Sequence, residues 1–184
     1  MAGTTPQRSD ALKNREAILQ AAHDALAEAP DASLNSIAKR AGVGPGTLYR
    51  HFPTREALIL EVSRQDTSRL VASVPEVLAA QHSPLDALRH WFADLAGYVR
   101  IKHGLGEALH SAAAQEVISE SWPPVTDAVR RLLDACEDAG EIRPGIDPVD
   151  VIMLMSCLWR TPATPAGAAQ AQRLMELAIQ GFRP

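Results

Sequence analysis

Thr47, Tyr49, Arg50, His51, Thr54 and Arg55 form a run of hydrogen-bond donors and cations, preceded by Pro45 and Gly46 and, slightly upstream, by Lys39. Such side chains suit a polyanion with readable edges. Arg50 can fork onto guanine, and Thr47 can offer its methyl to thymine or its hydroxyl to either base. With Pro45 and Gly46 they would stand nearest the base edges. Tyr49, His51, Thr54 and Arg55 are better matched to phosphate oxygens, which fix register without reading sequence. Lys39 and its neighbour Arg40 would contact phosphate or simply complement a helix C-terminus. Catalytic chemistry has less to work with. No serine sits in a G-x-S-x-G elbow, and neither Cys136 nor Cys157 has a histidine nearby in sequence. His103, Glu107 and His110 fall at helical spacing that could hold a metal, but surface pairing is the more ordinary use of that pattern. No catalytic set, metal site or cofactor is expected.

The donors need a support, and residues 33–55 supply one. Leu34, Ile37, Ala38 and Ala41 repeat at the spacing of one helical face, and Ser33 stands at the N-cap position. Gly42 follows as a left-handed C′ residue would, and Val43 gives the turn an apolar peg. Pro45 opens a second helix of barely two turns, closed by Pro53, whose core side chains would be Leu48 and Phe52. Two short helices about a glycine turn spell helix-turn-helix, whose second helix lies in a DNA major groove. The glycines 42, 44 and 46 are no phosphate loop, because no strand precedes them.

The run Ile37-Ala38-Lys39-Arg40-Ala41-Gly42-Val43, followed by Thr47-Leu48-Tyr49-Arg50-His51-Phe52 and Arg55-Glu56-Ala57-Leu58, resembles the DNA-binding signature of the TetR family of transcriptional regulators. The resemblance covers roughly residues 13–62. It implies phosphate contacts at Tyr49, His51 and Arg55 and a base contact at Thr47. Arg55 departs from the pattern, since the family more often has Lys there; the charge stays but the donor geometry changes. Lys102-His103-Gly104-Leu105-Gly106-Glu107-Ala108-Leu109 resembles the SbtR-like group within the family.

Composition agrees with a regulator more than with a DNA-packaging protein. The 184 residues carry a net charge of −4. Residues 1–65 hold eight Lys/Arg against seven Asp/Glu, and the remainder ten against fifteen. A near-neutral DNA end with a locally basic face on an acidic body is the expectation. Few aromatics with much Ala and Leu favour helix over sheet. No C-x-x-C spacing, apolar span or signal peptide is evident, so the protein is expected to be cytoplasmic and free of disulfides.

The expected fold is all-α, with about nine helices. A helix-turn-helix DNA-binding domain would occupy residues 1–53, with residues 1–9 disordered and a first helix over 10–28 capped by Asp10. A helical ligand-binding and dimerisation bundle would occupy 54–184. Within it, Thr54 caps a helix ending at Pro75, Ser83 caps one running to 102, and a short helix covers 105–114. Trp122-Pro123-Pro124 marks a junction before a helix ending at Gly140. The helix at 148–160 is apolar on nearly every side and must be buried all round, in the core or against another subunit. With the last helix, 166–182, it is the expected homodimer interface, as it is in the family. Two recognition helices on a two-fold axis would read a palindromic operator.

Trp91, Tyr98, His110, Trp122, Met155 and Trp159 have the makings of an apolar pocket with a few polar groups. In the TetR family such a pocket takes a small inducer that lowers DNA affinity. A repressor released from double-stranded DNA by a small molecule is therefore the leading expectation. The alternative is an all-helical small-molecule-binding protein or enzyme whose helix-turn-helix is purely structural.

Overall fold

A computed structural model describes residues 5–29, 31–103, 111–162 and 164–184, without the side chains of 5–9, 98–103 and 159. Among the described residues the chain forms nine α-helices and one 3-10 turn, with no strand. The helices are α1 (Thr5–Glu28), α2 (Leu34–Arg40), α3 (Pro45–His51), α4 (Arg55–Ala72), α5 (Val74–Ala80), α6 (Pro84–His103), α7 (Ala112–Asp138), α8 (Pro148–Met155) and α9 (Pro165–Gln180); Ser156–Arg160 is the 3-10 turn. They divide into two compact units, Met1–Gln65 with Ile101–Gln115, and Asp66–Arg100 with Glu116–Pro184.

In the first unit α1, α2, α3 and the start of α4 enclose a small core. Ile18, Leu19, Ala22 and Leu26 from α1 meet Ile37 and Ala38 from α2, Leu48 from α3, and Leu58 and Val62 from α4. Each large side chain removed from water here contributes roughly 1.5–3 kcal/mol. Arg15 holds the rim: its guanidinium lies 5.4 Å from the Phe52 ring centroid while reaching Glu61 at 2.6 Å. Contrary to expectation, α1 begins at Thr5, so Asp10 lies inside the helix and caps nothing. Pro6 is compatible with this, since a first-turn N–H has no helical acceptor to lose. The disorder expected of residues 1–4 lies outside the described residues.

In the second unit the core gathers around Trp91 and Phe92, which meet edge-on at 5.4 Å. The N-terminus of α6 is doubly satisfied. Ser83 Oγ accepts the Asp86 N–H at 3.2 Å, as its cap position predicts, and Glu141 Oε2 accepts the Leu85 N–H at 2.8 Å. Arg89 then ties α6 to α9 through Glu176 at 3.2 Å. Cys136 is buried in this core, its thiol pushed up to about 12 by burial and by the neighbouring Glu141 carboxylate.

Three elements differ from expectation. Pro75 does not merely end α4; it sits in the first turn of a further helix, α5, where a missing N–H costs nothing. Pro123 and Pro124 mark no junction, since α7 runs through them. The apolar positions Ala114, Val117, Val125, Ala128, Val129, Leu132 and Cys136 stay in helical phase across the prolines, and the residues around them, 118–120 and 122–124, face solvent. Carbonyls deprived of their helical donors there can turn to water. The short helix expected over 105–114 is not separate at its end, because Ala112–Ala114 already belong to α7; residues 104–110 lie outside the described residues. Finally, α8 is not buried all round within one chain. Val151, Ile152 and Met155 are buried while Met153 and Leu154 stand 64% and 50% exposed, and the α-helix gives way to the 3-10 turn after Met155.

Candidate nucleic-acid interface

The recognition element is set by caps at each end. Ser33 Oγ accepts the Ser36 N–H at 3.1 Å and starts α2. Gly42 adopts φ +70°, as the turn requires. The Val43 N–H then reaches the Ala38 carbonyl at 3.0 Å and the Gly42 N–H reaches that of Lys39 at 3.2 Å, which satisfies two carbonyls at the end of α2. Gly44 in extended conformation and Pro45 at the first helical position open α3, and the Phe52 N–H closes it on the Leu48 carbonyl at 2.8 Å.

Two turns of helix give α3 one inward and one outward face. Leu48 is fully buried and Phe52 nearly so. Pro45, Gly46, Tyr49 and Arg50 are exposed, and Thr47 and His51 are half-buried. Tyr49 is 46% exposed, too open for a packing aromatic. Arg50 lies along its own helix: Nε donates to the Gly46 carbonyl at 3.2 Å and Nη2 to Thr47 Oγ1 at 3.2 Å. Beyond α3, Thr54 is exposed and caps α4, accepting the Ala57 N–H at 3.1 Å.

The neighbouring cations divide. Arg40 is held by Glu28 through bonds of 2.7 and 2.8 Å, and that hydrogen bonding, then the charge itself, lowers the Glu28 pKa below the ordinary 4.5. Lys39 is exposed and makes no ion pair among the described residues. Arg55 is half-buried and donates to the Ala32 carbonyl, so part of its fork is spent on the segment before α2. Lys39, Pro45, Gly46, Thr47, Tyr49, Arg50, His51, Thr54 and Arg55 all belong to the first unit.

Of the expected pocket only Trp91, Trp122 and Met155 have described side chains, and these three do not line one cavity. Trp91 is fully buried, and its indole N–H is spent on the Leu70 carbonyl at 2.9 Å. Met155 is core, packed in the same cluster. Trp122 points the other way, 42% exposed on α7. The side chains of Tyr98 and Trp159, and all of His110, lie outside the described residues, as do the side chains of His103 and Glu107. A hollow of about 290 Å³ does occur in the second unit, lined by Arg143, Ile146, Asp150, Val151, Leu154 and Phe182 among others, and none of the expected pocket residues lines it.

Two features escaped the sequence reading. Arg15 braces Phe52 from another helix, and no local pattern reveals that. On α4, Ser63, Asp66 and Thr67 are buried although polar, and Ser63 Oγ has no hydrogen-bond partner among the described residues. Their i, i+3, i+4 spacing within an apolar helix was the available signal.

Among the described residues no helix is long and apolar enough to cross a membrane. A family model described as bacterial regulatory proteins of the tetR family matches residues 18–62, and one described as the C-terminal domain of SbtR-like transcriptional regulators matches residues 83–184. The chain is 28% identical over 149 residues to the HTH-type transcriptional regulator UidR of Escherichia coli, covering 76% of this chain and 74% of that one. It is 33% identical to a Staphylococcus aureus regulator over 84 residues, spanning 45% of that protein's length. A crystal structure of a TetR transcriptional regulator from Streptomyces coelicolor is 40% identical, with TM-score 0.77, covering 92% of this chain and 98% of that one. The TetR-family repressor FadR of Thermus thermophilus, solved with lauroyl-CoA, is 26% identical with TM-score 0.56, covering 91% and 94% of the two chains.

Proposed function

The chain belongs to the TetR family of DNA-binding transcriptional regulators, and from that premise we propose that it is a cytoplasmic repressor released from its operator by a small molecule. The helix-turn-helix within residues 1–53, with the start of α4 beside it, carries the DNA-binding function, and the rest of residues 54–184 effector binding and dimerisation. The carrying observation is the outward face of α3, where Pro45, Gly46, Tyr49 and Arg50 stand exposed on a helix whose opposite side is anchored by Leu48. Gly46 adds support. A Cβ built there meets nothing within 4 Å, so the fold itself does not ask for glycine, whereas close approach of duplex DNA would.

Base readout is assigned to the Thr47–Arg50 pair, with Pro45 and Gly46 allowing the approach. Phosphate contacts are assigned to Lys39, Tyr49, His51 and Thr54, with Arg55 dividing its donors between phosphate and Ala32. One α3 reads too little DNA alone, so a homodimer on a palindromic operator follows. Its interface uses α8 and α9, where Met153, Leu154 and Leu177 leave apolar side chains in the open. Effector release requires a ligand with different affinity for two spacings of the paired DNA ends. FadR, solved with lauroyl-CoA, is a relative that carries a small-molecule ligand.

Selection from a randomised duplex pool, followed by titration of the enriched duplex, tests the reading. Enrichment of an inverted repeat, and its loss of affinity with extracts containing the effector, is expected. Absence of any DNA binding at low salt overturns it.

A further inference from the structure

We infer that Thr47 is a positioning residue for Arg50, not an independent base reader, and that the two side chains together read a single guanine. This rests on α3 being the DNA-reading helix. A guanidinium has two edges that can make paired hydrogen bonds, one formed by Nε and Nη2 and one by Nη1 and Nη2. In this protein the first edge is spent internally, Nε on the Gly46 carbonyl and Nη2 on Thr47 Oγ1, each at 3.2 Å. The second edge is left for a bidentate pair with guanine O6 and N7. Arg50 is exposed, so without these two bonds its long side chain would sample many rotamers and lose that entropy on binding. Thr47 is half-buried, which keeps its hydroxyl in place as the acceptor. One of the two hydroxyl lone pairs is thus engaged by the arginine, and the contribution of Thr47 to recognition passes through that bond.

Two substitutions separate this role from methyl readout, because they remove opposite parts of the side chain. Thr47→Ser keeps the acceptor and loses the methyl; Thr47→Val keeps the shape and loses the acceptor. The full-length wild type and the Thr47→Ser, Thr47→Val, Arg50→Ala and Thr47→Val/Arg50→Ala variants are each selected on a randomised duplex pool, with far-UV circular dichroism confirming the helical fold. The position at which Arg50→Ala abolishes a guanine preference identifies the base read by the arginine. There a bidentate pair is worth roughly 5- to 150-fold in discrimination. Wild type and Thr47→Ser are expected to keep that preference, Thr47→Val to lose most of it, and the double variant to be no worse than Arg50→Ala. The proposal is overturned if Thr47→Val retains the guanine, whether or not Thr47→Ser loses a thymine elsewhere, or if Arg50→Ala changes no guanine position. Should the wild type enrich no sequence at all, the DNA-reading premise itself fails, a result distinct from either pattern.

Discussion

Arg40 grips Glu28 with both ends of its guanidinium, at 2.7 and 2.8 Å, and so fastens α2 to α1. The arginine adjacent to a candidate phosphate contact is therefore engaged within the protein, while Lys39 beside it is exposed. Lys39→Ala should weaken binding to all duplexes and reduce the slope of log affinity against log salt by roughly one. Arg40→Ala should leave that slope nearly unchanged. Fluorescence anisotropy across a salt series distinguishes them.

The same pair predicts an acid sensitivity. Arg40 holds the Glu28 pKa below its ordinary 4.5, so the bond stabilises the fold fully above that value and is lost as pH falls through the lowered one. A Tm difference between wild type and Glu28→Gln should be present at pH 7 and shrink as the solution is acidified below about 4.5. Glu28 is exposed, so the difference will be small. An equal difference at every pH contradicts the assignment.

Gly46→Ala should separate stability from function. The free protein gains up to about 1 kcal/mol, because alanine suits a helix better and meets no neighbour. Operator affinity should fall if the backbone at Gly46 approaches DNA closely. Urea unfolding and anisotropy, run on one preparation, report both.

Trp91→Phe removes one donor from the Leu70 carbonyl, which keeps the Ser73 hydroxyl at 2.8 Å, and opens a void in the core, at a cost of roughly 1–3 kcal/mol in urea unfolding. Trp122→Ala, at an exposed position, should cost much less. Reversal of that order would show the two tryptophans misplaced.

Local grammar made the helix-turn-helix legible. Ser33, Gly42, Pro45 and the spacing of Ile37, Ala38 and Leu48 each act within a few residues, and the caps occur where those residues require them. The prolines were misread because a proline's effect depends on its helical position and on what surrounds it. Pro75 opens a helix, and Pro123-Pro124 is carried inside one by an apolar stripe that never loses phase. The pocket was least legible. Trp91 has the same residue type in a pocket as in a core, and only the Leu70 carbonyl, 21 residues away, reveals that its N–H is already used. Arg15 over Phe52 likewise depends on helices brought together by folding.

The central claim is that the exposed face of α3 reads duplex DNA. Its most direct measurement is the affinity of the full-length wild type for its selected duplex, beside Tyr49→Phe and Arg50→Ala, over a range of salt concentrations. The expected result is steep salt dependence, a uniform loss across sequences for Tyr49→Phe, and a loss confined to one base position for Arg50→Ala. Binding unaltered by both substitutions, or indifferent to sequence in the wild type, would contradict it.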